Sequence, residues 1–289
     1  MVRGLAVACV LSVCVGAACA QSAMSGRAAG MGNASLSSLG DSEAIFLNAA
    51  ALPWLRQAAG PADRRPWGGQ AVVAYGCADV SGVPDCDMQS TLLIGAGAAN
   101  GKHGLSAYYA DADLLTDELS EFGIGYGVSL SHDWSVGVML RMWDRPGDGD
   151  DVQTTDFSLL HQWRLTNGRP LTATLLVRDA YGHTDEGMTV DLGVSGYLSE
   201  DFLLALLARD LTNEEYRLLN VGAEVQIRPG WFIRTGYEER AHKNPIGLSL
   251  GVGHRVRNWQ CDLAFTHWDS SMANVDMGVG VTGSATVLF

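Results

Sequence analysis

The stretch Phe122-Gly-Ile-Gly-Tyr-Gly-Val-Ser-Leu130 carries an apolar residue at every even position and Gly or Ser at every odd one. A repeat of two residues is typical of a β-strand with one apolar face. The same repeat runs through residues 219–227, 246–252 and 275–289. Because no helical pattern separates these stretches, they predict an antiparallel sheet that is long enough to close into a barrel.

Fourteen strands can be placed between residues 69 and 289, the first over 69–76 and the last over 275–289. Tight turns rich in Gly, Asn, Asp and Pro alternate with longer connections along the whole series. Outer-membrane barrels have short periplasmic turns and longer outer loops. The fold class predicted is therefore all-β: a membrane-spanning antiparallel β-barrel of about 14 strands, located in the outer membrane, with both termini periplasmic.

The N-terminus predicts an export signal. Arg3 precedes an apolar run over residues 5–15, and Ala18-Cys-Ala20 fits the small-residue cleavage rule, so residues 1–20 are assigned as a signal peptide. The apolar run is too short for a transmembrane helix. Residues 21–68 are expected to form an N-terminal lumenal plug and linker, and residues 69–289 the barrel.

Another segment is expected to occupy the interior of such a barrel, because about fourteen strands enclose more space than their own side chains fill. Residues 22–59 are the candidate plug, with a short helix predicted from Glu43 to about Leu52, capped by Asp41 or Ser42 and stopped by Pro53. Alternation predicts that the lumen-facing set holds both acids and bases, which can pair across strands: Arg141, Arg164, Asp191, Asn220, Glu224, Arg234, Glu238, Ser249 and Asp262.

The charge pattern is strongly acidic, with a formal net charge of −13. The seven longer connections hold 23 of the 32 acidic residues. An acidic outer rim suits divalent cations that bridge to lipopolysaccharide phosphates, and the ordinary solubility of exposed loops explains it equally well. The lipid bilayer and lipopolysaccharide are thus expected partners, and the net charge argues against nucleic acid.

Two cysteines bracket the first long connection. Cys77 and Cys86 are expected to form a disulfide in an oxidising compartment, the alternative being two free thiols at strand ends. Cys261 alternates with apolar residues and is expected to be a small residue of the wall.

The segment from Phe202 to Ala208 is apolar at every position and so breaks the alternation. Either its inner face packs on the plug, or it lines an apolar patch in the lumen where a hydrophobic ligand rests. The second possibility makes Phe202, Leu204 and Leu206 a candidate hydrophobic path.

Motifs typical of enzymes are present only in unsuitable contexts. Gly247-Leu-Ser-Leu-Gly251 matches G-x-S-x-G but lies within a strand, and residues 278–283 match G-x-G-x-x-G but open no helix. The acidic residues at 148, 150 and 151 lack the pattern of a calcium loop. No catalytic residue, metal site or cofactor is therefore predicted, and the chain is not expected to be an enzyme.

The N-terminal segment resembles a known signature. Gly26-Arg-Ala-Ala-Gly-Met-Gly-Asn-Ala34, followed by Asp41-Ser-Glu-Ala-Ile-Phe-Leu-Asn-Ala-Ala-Ala-Leu52, is similar to the N-terminus of PorV/PorQ-type outer-membrane proteins of the FadL-like (long-chain fatty-acid transporter-like) β-barrel group. In that group the segment lies in the lumen of a fourteen-stranded barrel. The resemblance implies a lumenal plug that includes Gly26, Arg27, Gly30, Gly32, Asp41, Phe46 and Asn48.

The resemblance implies two alternative functions. The first is binding or passing small hydrophobic molecules through the plugged lumen. The second is a non-transport role in a protein secretion or surface-anchoring complex, as a PorV-like scaffold with secretion-system proteins as partners.

Overall fold

The computed structural model describes residues 25–59, 66–81, 89–113, 118–144, 152–166, 168–181, 187–212, 217–240, 246–269 and 277–289. Within these residues fourteen antiparallel strands form one closed barrel, as predicted. They are β1 (Gly68–Ser81), β2 (Gln89–Ala99), β3 (His103–Asp113), β4 (Glu118–Ser129), β5 (Trp134–Asp144), β6 (Val152–Arg164), β7 (Pro170–Arg178), β8 (Thr189–Tyr197), β9 (Phe202–Arg209), β10 (Leu218–Arg228), β11 (Trp231–Arg240), β12 (Ile246–Val256), β13 (Trp259–Asp269) and β14 (Met277–Leu288).

Each strand pairs with its neighbours in sequence, and β1 closes the barrel against β14, where Gln70 lies opposite Leu288. The first strand is longer than its expected range of 69–76. The register of the described pairs shifts once, between Gln226 and Arg228 of β10. A bulge of this kind bends a strand near its end.

The two rims of the barrel differ. Six short connections lie at one rim, the short-turn rim, together with the start of β1 and the C-terminal Phe289, whose carbonyl oxygen accepts from Gly69 N at 2.7 Å. The opposite rim carries the longer connections, most of whose residues lie outside the described part of the chain. It is called the long-connection rim below.

The two faces of the wall also differ. Outward residues are large, apolar and exposed on most strands, as in Ile94, Leu105, Ile124, Leu140 and Leu250. Inward residues are buried and include many polar and charged side chains. An apolar outside with a polar inside is the arrangement of a membrane barrel. Among the described residues, no helix is long and apolar enough to cross a bilayer.

The alternation places the predicted lumen-facing charges inside, with one exception. Arg141, Asp191, Asn220 and Arg234 are buried, whereas Arg164 is exposed. Arg164 keeps the inward parity of β6, but it is the last residue of that strand and is exposed at the short-turn rim, so it does not join the buried lumenal charges as expected.

The plug comprises residues 25–59 and fills the barrel. It contains the five-residue helix α1 (Gly26–Gly30) and two 3-10 helices, Ser42–Ile45 and Ala49–Ala59. The single helix expected from Glu43 to Leu52 is therefore wrong. The first 3-10 helix ends before Asn48, and Pro53 lies inside the second, where a 3-10 turn accommodates it.

Candidate functional site: the plug and the wall around it

The first half of the plug lies against β10 to β14 through its own backbone. Gly26 N donates to Ser284 Oγ at 3.0 Å, Ser249 Oγ donates to Gly30 O at 3.2 Å, and Asn220 Nδ2 donates to Gly32 O at 2.7 Å. The inward polar residues of these strands thus satisfy backbone groups that a five-residue helix leaves unpaired.

The plug then crosses to β7 and β8. The Ser37 carbonyl oxygen accepts from Thr172 Oγ1 at 2.6 Å and from Ser195 Oγ at 2.9 Å. Asn48 ties two parts of the plug to the wall, since its Nδ2 donates to Leu36 O at 2.7 Å and to Thr174 Oγ1 at 3.2 Å. Asn48 therefore stands at the junction that ends the first 3-10 helix.

Glycines on the inner face let the plug backbone approach the wall. A Cβ at Gly127 would lie 2.0 Å from Ala49 O, one at Gly137 2.2 Å from Ala49 C, and one at Gly236 2.0 Å from Gly32 N. These distances exclude any side chain. In the described part of the chain, ten lumen-facing glycines have backbone or side-chain atoms of the plug close to where a Cβ would lie, at positions 95, 97, 104, 125, 127, 137, 193, 222, 236 and 251.

Ion pairs join the plug to the wall on the β10–β13 side. Arg27 of the plug pairs with Asp41 and, through Nε, with Glu224 Oε2 at 2.9 Å. Arg234 of the wall pairs with Glu224 at 2.6 Å and with Asp262 at 2.6 Å. Each arginine thus shares Glu224, so the five charges form one buried network that we call the ionic lock.

A second arginine binds the plug on the opposite side. Arg141 Nε pairs with Asp156 at 2.7 Å, its Nη1 pairs with Glu121 at 2.8 Å, and its Nη2 donates to Phe46 O at 3.0 Å. The hydroxyl of Tyr108 also donates to Glu121. Because the wall carboxylates orient the guanidinium, the Phe46 carbonyl meets a fixed donor.

An apolar contact surface covers the same side of the plug. Ile45, Phe46, Leu52 and Leu55 pack against β2 to β5 in one buried cluster whose wall members include Leu93, Tyr108 and Met139. The rings of Phe46 and Tyr108 meet edge to face at 5.4 Å. We call this surface the apolar seam. The apolar side chains of the plug at this surface make no hydrogen bonds, so an apolar molecule can replace those side chains with little loss, although Arg141 and Ser106 hold the carbonyl oxygens of Phe46 and Ile45.

The seven plug residues singled out from the sequence all lie inside the barrel. Arg27 and Asp41 belong to the ionic lock, Phe46 to the apolar seam and Asn48 to the junction between plug segments. Gly26, Gly30 and Gly32 contact wall backbone: a Cβ there would lie 2.8 to 3.0 Å from Asp262 O, Gly251 Cα and Tyr237 N.

The candidate hydrophobic path is wrong as placed. Leu206 is 43% exposed on the outer face, and Phe202 and Leu204 share that face by alternation. Leu203, Ala205 and Leu207 are the inward residues of β9, and they belong to the core cluster that includes the plug. The inner face of this strand therefore packs on the plug and lines no open apolar patch.

A small cavity remains between the plug and β7–β9. It measures about 30 Å³ and is lined by Arg27, Leu39, Thr172, Ser195, Tyr197 and Leu203 among others. A space of this size holds about one water molecule. A hydrophobic molecule can enter this part of the lumen only if the plug moves.

Cys77 lies buried in β1, whereas Cys86 lies outside the described residues. The disulfide between them thus stays a prediction. The acidic triplet at 148, 150 and 151 also lies outside the described residues.

Several residues that bind the plug were not singled out from the sequence. Ser106, Ser135, Ser158, Thr172 and Thr174 hydrogen-bond plug atoms from the inner wall. The alternation of each strand predicts that these side chains face inward, but their hydrogen-bond partners lie between 61 and 135 residues away in sequence. No local pattern specifies contacts of that separation.

Glu43 is a buried carboxyl within the plug. It is 1% exposed, its Oε1 accepts from Ser25 N at 3.3 Å, and its Oε2 has no hydrogen-bond partner. Burial above all, with a smaller contribution from the nearby Asp41, raises the pKa of Glu43 to about 8, against the opposing effects of Ser25 and Arg27. Glu43 therefore carries a proton at neutral pH.

We expect alkaline pH to loosen the plug. The pKa of Glu43 is about 8 with the plug in place, against an ordinary value of 4.5 in water. The contribution of its protonated carboxyl to the stability of the docked plug is therefore fully present below pH 4.5 and is lost as pH rises through 8. Hydrogen exchange of residues 25–59 at pH 6 and pH 9 measures this. Glu43→Gln, which stays neutral, should remove the increase. A Glu43→Gln variant that loosens as much as the parent would assign the effect to another group.

Two solved structures have a similar fold over nearly the whole of this chain. The chain is similar to the toluene transporter TodX of Pseudomonas putida, with 9% identity, a TM-score of 0.62, and 93% of this chain and 98% of that chain covered. It is similar to a FadL homologue of Pseudomonas aeruginosa, with 12% identity, a TM-score of 0.59, and coverage of 92% and 98%. No protein-family model matches the sequence, and no curated protein is similar to it. At these identities the likeness shows the fold alone.

Proposed function

We propose that this protein is an outer-membrane channel for small hydrophobic molecules, closed by its plug and opened when the plug moves along the apolar seam. The observation that carries the proposal is the division of the plug interface. An ion pair of Arg27 and hydrogen bonds to the plug backbone hold the plug against β10–β14. Its contact with β2–β5 instead combines apolar side chains with hydrogen bonds that Arg141, Ser106 and Ser135 donate to plug carbonyl oxygens. A structure with the same fold is named a toluene transporter.

The path follows from this division. A hydrophobic molecule that displaces Phe46 or Leu52 takes over their contact with the apolar wall. Its own apolar surface leaves water in the process, which contributes about 25 cal/mol of binding free energy per Å² buried. Displacing the ionic lock would leave charges unpaired in the interior, which costs several kcal/mol. The plug therefore separates from the wall at the apolar seam, and it stays attached to the wall at the ionic lock.

The envelope assignments belong to the same proposal. Residues 1–20 are removed as a signal peptide, the short-turn rim with both ends of the barrel faces the periplasm, and the long-connection rim faces outward. The lipid bilayer contacts the apolar outer face, and lipopolysaccharide contacts the long-connection rim. The division of rims into short and long connections supports this orientation.

A disulfide that fixes the seam tests the proposal. A Cβ at Gly95 would lie 2.9 Å from Ile45 Cγ2, so Ile45→Cys with Gly95→Cys brings two sulfurs within bonding reach. The same Cβ would lie 2.5 Å from Phe46 Cε1, so the ring of Phe46 must shift in the oxidised and the reduced variant alike. In cells of a Gram-negative host that lacks its own hydrophobic channels, oxidation should reduce uptake of radiolabelled toluene or oleate to the level of cells without the protein. Reduction of the same variant should restore it, which controls for any packing change.

The close packing of the plug, which leaves a cavity of about 30 Å³ against β7–β9, favours a second candidate, a scaffold of a secretion or surface-anchoring complex. A scaffold needs no plug movement, so the oxidised and reduced variants would then take up the probes equally and no more than empty cells. Stable co-purification of a secreted protein from the native host, unaffected by the disulfide, would support this candidate.

A further inference from the structure

Two similar clusters of Trp and His side chains lie on the outer face at the short-turn rim. In one, the ring of His161 stacks on Trp134 at 4.0 Å and 28° and meets the edge of Trp163 at 4.2 Å. In the other, the ring of His254 stacks on Trp231 at 4.1 Å and 27°. The three indoles are exposed on the lipid-facing side of the barrel. We call them the first and second Trp–His stacks.

Each histidine is oriented by the same bond. His161 Nδ1 lies 3.1 Å from Asp133 O, and His254 Nδ1 lies 3.1 Å from Gly230 O. A carbonyl oxygen only accepts, so Nδ1 carries the hydrogen in both rings. Nε2 is then the nitrogen of each ring that can bind an outside partner, and it donates when the ring is protonated.

An exposed arginine accompanies each stack. Arg228 lies opposite Trp231 across the β10–β11 pair and so shares its outer face. Arg164 follows Trp163 at the end of β6; alternation places it on the other face of the strand, and it is exposed at the rim itself. The whole short-turn rim is basic although the chain is acidic. Its described residues include Lys102, Arg164, Arg169, Arg228, Arg255 and Arg257, against the acids Asp133, Glu200 and Asp201.

Apolar residues continue each stack along the outer face toward the middle of the barrel. Leu159 and Phe157 precede His161 on the same face of β6, and Ile233 follows Trp231 on β11. A ligand that fits both parts has an apolar tail and an anionic group at the level of the indoles. Free phosphate has no apolar group that could contact these apolar residues.

We infer that the two Trp–His stacks bind the phosphate of anionic phospholipid headgroups in the leaflet at the short-turn rim. The arginine donates to the phosphate oxygens, as does Nε2 of the histidine when its ring is protonated. The indole lies at the headgroup level, and the acyl chains cover the apolar residues beyond. This inference does not depend on plug movement or on transport.

Native mass spectrometry of the delipidated full-length protein, reloaded with phosphatidylglycerol, tests the inference. The wild type should retain two lipids at low lipid concentration. His161→Gln with Arg164→Gln should weaken one of the two sites about tenfold, His254→Gln with Arg228→Gln the other, and the four changes together both. His267→Gln is the matched control, because His267 is exposed on the outer face near the opposite rim. Heat-modified migration in gels verifies that each variant is folded.

Two further ligands distinguish a phospholipid headgroup from a free phosphate ion as the occupant of the stacks. Phosphatidylcholine, which has the same phosphate but no net charge, should bind more weakly than phosphatidylglycerol, and millimolar inorganic phosphate should not displace the lipid. Equal retention of phosphatidylglycerol by the fourfold variant and the wild type would overturn the inference. Displacement by inorganic phosphate would also overturn it, since the stacks would then be sites for a free anion.

Discussion

A single methyl group at Gly127 or Gly236 is expected to release the plug from the barrel. The new Cβ would lie 2.0 Å from Ala49 O in the first case and 2.0 Å from Gly32 N in the second. These are backbone atoms of the plug, which cannot rotate away as a side chain does. Each glycine is also held in its strand by ladders on both sides, so the plug must move instead.

The expected penalty is about 1–3 kcal/mol for each variant, the usual cost of overpacking. Sensitivity of Gram-negative host cells to vancomycin, which a closed barrel excludes, measures plug release. Gly127→Ala and Gly236→Ala should both sensitise the cells. Gly76→Ala is the control, since the atoms nearest to a Cβ there belong to the Thr282 side chain, the first at 3.1 Å, and not to the plug. If all three variants protect cells equally while folding normally, the plug is not held by backbone contact at these glycines.

Replacing Arg234 with methionine is expected to cause the largest loss of stability. Arg234 is 1% exposed and bridges Glu224 and Asp262, which are themselves buried. Without it, Asp262 loses its ion-pair partner, while Glu224 keeps Arg27 alone. Breaking a buried network by removing one partner costs about 3–5 kcal/mol, because a charge is left uncompensated in the interior.

Unfolding in urea, followed by tryptophan fluorescence in detergent micelles, measures this loss. Arg257→Met is the matched control, because Arg257 is exposed in the turn between β12 and β13. Combining Arg234→Met with Asp262→Asn should recover part of the stability, since the unpaired charge is then removed. A cost within about 0.5 kcal/mol for Arg234→Met, the range of ordinary surface substitutions, would show that the ionic lock contributes nothing.

The strands were predictable because the solvent on each side of the wall is different. Lipid outside and polar groups inside force an alternation of two residues, and this alternation placed Arg141, Asn220 and Arg234 correctly. It failed in β9, where both faces are apolar and alternation carries no signal. Only the register with β8 and β10, in which Leu206 lies opposite Val194 and Val221, shows that this residue faces outward.

The plug was predictable as a segment but not as a structure. Its glycines and its position before the first strand marked it, whereas its helices are decided by distant partners. Asn48 bonds Leu36 and Thr174, and these contacts separate the two 3-10 helices that local sequence had joined into one. Likewise the shared use of Glu224 by Arg27 and Arg234 depends on barrel closure, which brings together residues about 200 positions apart.

The conductance of the protein in planar lipid bilayers, with and without residues 26–52, tests the central claim most directly. If the plug closes a barrel of fourteen strands, the full chain should conduct almost no ions, and the deleted variant should form a permanently open, ohmic channel. A deleted variant that folds but stays closed, or a full chain that conducts as well as the deleted one, would contradict the account.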